Sequence, residues 1–316
     1  MKTSSLLRRL TALLLVLCML CPLAGCSKYR VEMSNKAQSE TMLSIGETKV
    51  PFEVVYFFYH TYLDAYPEED FDSRMARVCD AVCELYAIFE ISWQYDIDPY
   101  GGEIEEMMDE AVREMIDYFP TRRDYIDRIT EQHMTDNVSR LLLRSYLCQE
   151  LMLIEIEKEL EDDDILLPFL EREDVIRVLS LSLDFGDQTA AMRRRAEEIV
   201  AALAAAEPTD EAFLEIARQK ATTESAHTYI TVGQWYSLCG EGAPAPTLGI
   251  ITEPLYEGGT CLMMRVSEKD IAYAKENRDE ICPSYLECAI QEKAKQLTGS
   301  LVKHDAYLAL TAERFA

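Results

Sequence analysis

The sequence is poor in histidine, in positive charge and, beyond its first 25 residues, in long apolar runs. Four histidines in 316 residues leave little for general-base or metal chemistry, and none sits beside a serine or cysteine constellation. Lys and Arg total 31 against 57 Asp and Glu, a formal charge of −26. That balance argues against nucleic acid and against electrostatic docking on anionic lipid. After residue 26 no stretch approaches the roughly 20 apolar residues of a membrane span. There is no internal repeat, and the strand–helix alternation of a two-lobed solute-binding protein is missing. Nothing calls for a cofactor.

What is present begins with Lys2, Arg8 and Arg9, without an acidic residue, followed by the apolar run from Leu10 to Leu23. This is the layout of a secretory signal, too short to prefer a permanent span. Leu23-Ala24-Gly25-Cys26 resembles a bacterial lipobox, which implies a signal peptide over 1–25, cleavage before Cys26 and a lipid on its sulfur. Acyl chains at about 0.8 kcal/mol per methylene would hold a soluble domain on the outer face of the membrane. Residues 26–40 are polar and weakly patterned, suited to a tether. Without the three basic residues of the leader, the 31 Lys and Arg become 28 against 57 acidic residues, a charge of −29.

Seven cysteines remain after Cys26, an odd number. Cys79 and Cys83 share a helix face, but no further Cys or His pair at ligand spacing completes a zinc site, so small apolar positions are expected there. Glu161-Asp-Asp-Asp164 lacks the glycine and alternating ligands of a calcium loop and reads as a solvated break. No metal site is expected. His227 reads as a surface histidine near Glu224.

The apolar spacing predicts a short strand at 41–45, a turn at Gly46, and helices over 52–66, 73–95, 103–118, 121–132 and 135–160. The acidic stretch 159–164 and Pro168 close this helical module, 41–168. Val175–Leu183 reads as a strand, 189–206 and 209–221 as helices, 229–232 as a short strand, 239–246 as a loop and 261–266 as a closing strand. This β-α-α-β-β region, 171–268, precedes a final helical segment, 270–316, expected to pack on the first module.

Gly249-Ile-Ile-Thr-Glu-Pro-Leu255 followed by Gly259-Thr-Cys-Leu-Met-Met-Arg-Val266 resembles the end of a parvulin-type peptidyl-prolyl isomerase domain. Ala196–Leu203 and Phe213–Ala217 resemble its first two helices. Ser44-Ile-Gly-Glu-Thr-Lys-Val-Pro-Phe52 resembles the opening of the helical module of SurA- and PrsA-like exported foldases. The resemblance implies an α+β fold: a helical chaperone-like module completed by the C-terminal helix, with a small parvulin-like domain inserted. It implies unfolded, newly exported polypeptides as partners. It also places the family's two strand histidines on Arg177 and Leu262 and its acidic or cysteine position near Thr222-Thr223. The pocket helix that should follow Trp235 is absent by length. No catalytic residue is therefore assigned, while an active isomerase with an atypical site and a cell-envelope scaffold stay open as alternatives. Of the aromatic stripe Phe52, Tyr56, Phe57, Tyr59, Tyr62 and Tyr66, some positions must fall outside one apolar face. Tyr56, Tyr59, Tyr62 and Trp235 are the expected peptide contacts.

Overall fold

Helical spacing in the first part of the chain and β-branched alternation in the middle give two kinds of local structure. The computed structural model describes residues 39–315 apart from 187–188, 223–225, 241 and 258. The leader 1–25, Cys26, most of the tether and Glu224 lie outside the described residues. A hairpin comes first: β1 (Thr41–Ile45) and β2 (Thr48–Pro51) turn at Gly46, whose φ of +58° favours a residue without Cβ. The helices α1 (Phe52–Ala65), α2 (Phe71–Ser92), α3 (Gly102–Tyr118), α4 (Arg122–Glu131) and α5 (Asp136–Glu159) follow. Next come α6 (Asp163–Glu171), β3 (Val175–Asp184), α7 (Thr189–Ala205), α8 (Asp210–Lys220), β4 (Ala226–Thr231), α9 (Val232–Cys239), β5 (Leu255–Glu257) and β6 (Thr260–Ser267). The chain continues through α10 (Ile271–Glu276), α11 (Cys282–Thr298), β7 (Leu301–Lys303) and α12 (Asp305–Leu308). The fold is mixed α+β, helix-rich with two small antiparallel sheets. Among the described residues no helix is long and apolar enough to cross a membrane.

Two compact units result. One is formed by residues 39–158 and 286–315 and the other by 159–285, so the second interrupts the first in sequence. The expected segment 270–316 is divided between them.

In the helical unit, β7 completes a sheet of order β2-β1-β7. The Ser44 hydroxyl meets His304 Nε2 at 2.7 Å beside that pairing. Helix α2 starts on Asp70, whose carboxylate accepts from the Ser73 N–H, and it buries Val78, Val82, Ala87 and Phe89. Glu53, 6% exposed, ties the start of α1 to the start of α5, accepting from Thr135 Oγ1 at 2.6 Å and Asn137 Nδ2 at 3.2 Å. Both carboxylate oxygens are thus satisfied inside the unit.

In the β unit the sheet order is β4-β3-β6-β5. Because side chains alternate along a strand, β3 feeds two cores. Leu179, Leu181 and Leu183 pack with Met192, Ala196 and Ile199 of α7 and Phe213 and Ala217 of α8. Ile176 and Val178, with Met264 and Val266 of β6, pack on Trp235 of α9.

Five elements correct the sequence reading, among them β5 at Leu255–Glu257, which no expected strand covers. Strands β2 and β7 are short, with mixed burial and no alternation to reveal them. Helix α6 runs through the expected break: Asp162 caps it, and burial of Leu166, Phe169 and Leu170 offsets the N–H that Pro168 lacks. Helix α9 occupies 232–239, between the strand expected at 229–232 and the loop expected at 239–246. Thr231 and Gln234 form a capping box at its start, the reciprocal pairing that satisfies two end donors.

Candidate functional site

The sheet of the β unit fixes where each candidate residue points. The register pairs Arg177 with Ser267 and Ser182 with Leu262. Arg177 therefore shares a face with Leu179, Leu181 and Leu183, whereas Leu262 packs on the opposite face with the Trp235 core. The two positions matched to the family's histidines cannot meet in one site. Those paired with Leu262 are Ser182 and Leu255, and neither is a proton carrier near neutral pH.

Arg177, 8% exposed, is held from several sides. It donates to the Glu268 carbonyl at 3.1 Å and to His227 Nδ1 at 3.0 Å. Asp270 Oδ2 lies 3.8 Å away, and the guanidinium stands 5.3 Å from the centre of the Tyr273 ring. The His227 and Tyr273 rings stack at 5.1 Å, and Tyr273 donates to the His227 carbonyl at 3.3 Å. Burial first, and the Arg177 charge second, hold His227 below its ordinary pKa. A guanidinium only donates, so Nδ1 is the acceptor and His227 is neutral at physiological pH. It is half-buried and partnered, not the surface histidine expected from sequence.

A second arginine secures the far edge of this face. Arg265, 5% exposed, donates to Asp210 Oδ1 at 2.8 Å, to the Gly249 carbonyl at 3.0 Å and to the Pro208 carbonyl at 2.6 Å. Ser267 donates to the other oxygen of Asp210. These bonds pin the start of α8 and the 249 turn to β6. Arg265 is fully engaged in holding the domain together.

On the opposite face Trp235 is completely buried, and its indole N–H donates to the Pro244 carbonyl at 3.1 Å. The side chain expected to receive a peptide is covered by the chain that follows it.

Tyr56 and Tyr59 are also corrected from surface to core. They are 5% and 4% exposed and gather around Phe315, with Tyr59 stacked on it at 3.9 Å. The Tyr59 hydroxyl accepts from Arg74 at 3.2 Å. An aromatic helix face buries its large rings first. Tyr62 differs: half-buried, it lines a groove of about 270 Å³ with Phe58, Ala81, Glu84, Leu85, Ile88, Gln149, Glu287 and Ile290. Glu287 and Ile290 come from α11, more than 200 positions after α1. No local pattern could have joined them to Tyr62. Cys79, Cys83, Cys148 and Cys261 are buried thiols, and burial raises the last three above their ordinary pKa.

No family model and no curated protein matches the chain. Among solved structures it is similar to the foldase protein PrsA from Lactococcus lactis, with 10% identity over 88% of this chain and 100% of that one, at a TM-score of 0.27. It is similar to foldase protein PrsA from Streptococcus pneumoniae, with 12% identity over 85% and 97% and a TM-score of 0.28. PrsA from Bacillus subtilis overlays with 11% identity over 83% and 93% and a TM-score of 0.26. Overlays this loose identify neither an activity nor a site.

Proposed function

We propose that the chain is a foldase-like lipoprotein of the extracytoplasmic face, tethered through Cys26, which holds newly exported polypeptides without catalysing prolyl isomerisation. The observation that carries the second half is the β sheet's geometry. Arg177 and Leu262 lie on opposite faces, and Trp235 is completely buried with its indole N–H bound to the Pro244 carbonyl. Lowering a rotation barrier of about 18–20 kcal/mol requires a desolvated proline and polar groups around the twisting amide. The first half is supported by the lipobox-like leader, by the foldase-like phrases in the sequence and by an accessible apolar groove on the helical unit. A tether raises the local concentration of a weak holder where unfolded chains emerge, and the charge of −29 left after the leader, 28 Lys and Arg against 57 Asp and Glu, favours basic clients in a salt-sensitive way.

The test is a pair of assays on the purified chain. Aggregation of an unfolded basic protein at low salt should be delayed, and a proline peptide should isomerise at the uncatalysed rate. No delay would remove the holding role; accelerated isomerisation would restore the reading as an enzyme with an atypical site.

A further inference from the structure

The groove of the helical unit combines two properties that seldom coincide. Its walls are apolar, from Phe58 and Tyr62 of α1, Leu85 and Ile88 of α2 and Ile290 of α11, yet two carboxylates, Glu84 and Glu287, stand among them. Glu84 is exposed at the rim and Glu287 is half-buried. Desolvation first, then the charges of Glu287 and Asp80, lift the Glu84 carboxyl above its ordinary range. Desolvation likewise lifts Glu287, offset in part by the bond that Gln291 donates at 2.7 Å. Among the described residues no lysine or arginine charge acts on either carboxyl. At about 270 Å³ the space is smaller than the roughly 300–1,000 Å³ of pockets for whole small molecules, and suits a long side chain.

A carboxylate pair in such surroundings gains most from a cation that brings its own apolar stem. We propose that the groove receives a lysine or arginine side chain of an extended client segment, its stem on Phe58, Leu85, Ile88 and Ile290 and its charged head between Glu84 and Glu287. This deepens the client-holding function proposed above and rests on it. It makes the preference for basic clients a property of one groove in place of the whole acidic surface.

The experiment uses the full chain in detergent and two fluorescein-labelled apolar peptides that differ at one central position, lysine in one and norleucine in the other. Anisotropy at low salt should show the lysine peptide bound about five- to tenfold more tightly. In E84Q/E287Q, which removes a repulsion and keeps the shape, the difference should shrink to less than about twofold with an unchanged circular dichroism spectrum. Equal affinities in the parent chain, or an undiminished lysine preference in the variant, would overturn the assignment. Binding of neither peptide while client aggregation is still delayed would overturn the groove and leave the holding role. Loss of both would overturn the two together.

Discussion

His60 is an imidazole with little access to water. It is 8% exposed, its ring stacks on that of His133 at 4.0 Å, and its Nε2 lies 3.0 Å from the Phe315 carbonyl, to which it donates. His133 reaches this position from a left-handed φ of +58° just after α4, a conformation common at helix ends. Burial first, and the His133 charge second, push His60 down to about 4 from an ordinary 6.5. The unfolded chain therefore binds more protons than the folded one between those values, so stability is intact above the unfolded pKa and falls as pH drops through the window toward 4. Urea unfolding at pH 7 and pH 4.5 should show a loss on the order of 2 kcal/mol in the parent that is absent in H60Q. Equal pH dependence in the two proteins would remove this role from His60. The pairing of two histidines 73 positions apart was invisible in the sequence, as was the partnership of Arg177 with His227, because each depends on which strands and helices come together. The identity of Arg177 as a non-histidine was legible; its face of the sheet was not.

At the scale of elements, long amphipathic stretches were legible and short ones were not. The spacing of Val78, Val82, Leu85, Ile88 and Phe89 located α2 to within a few residues, since a helix of that length repeats its burial pattern several times. Strand β7 has three residues and exposes two of them, so its pairing with β1 supplies all of its signal. Helix α9 did carry a local sign, the Thr231 and Gln234 capping box, which the strand reading of 229–232 passed over. The joint before β6 makes a sharper test. Gly259 has φ of +89°, and a Cβ there would stand 2.5 Å from the Gly186 carbonyl oxygen. G259A should destabilise the chain by roughly 1–3 kcal/mol. At Gly242 a Cβ would meet nothing within 4 Å, so G242A should change stability by less than about 0.5 kcal/mol. Similar urea midpoints for the two variants would show that the turn relaxes freely.

For the whole molecule, the proposed compartment rests on composition and on the lipobox-like phrase at 23–26, both legible without a fold because they are local. Under the lipid anchor proposed above, Cys26→Ala should move the protein from the membrane fraction to the soluble one while leaving its circular dichroism spectrum unchanged. Persistence of the variant in membranes would mean that something other than Cys26 anchors it. The division into two units was only half legible: the β region stood out by its alternation, while the split of the last 47 residues between the units depends on contacts across the chain. The pairing of β1 with β7 imposes an order in time. A chain made from its amino end presents β1 early, but that strand lacks its second neighbour until residues 301–303 have emerged. The β unit, whose residues all lie between, is complete sooner. The helical unit thus stays incomplete for most of the chain's emergence, waiting for its last strand while the β unit is already whole.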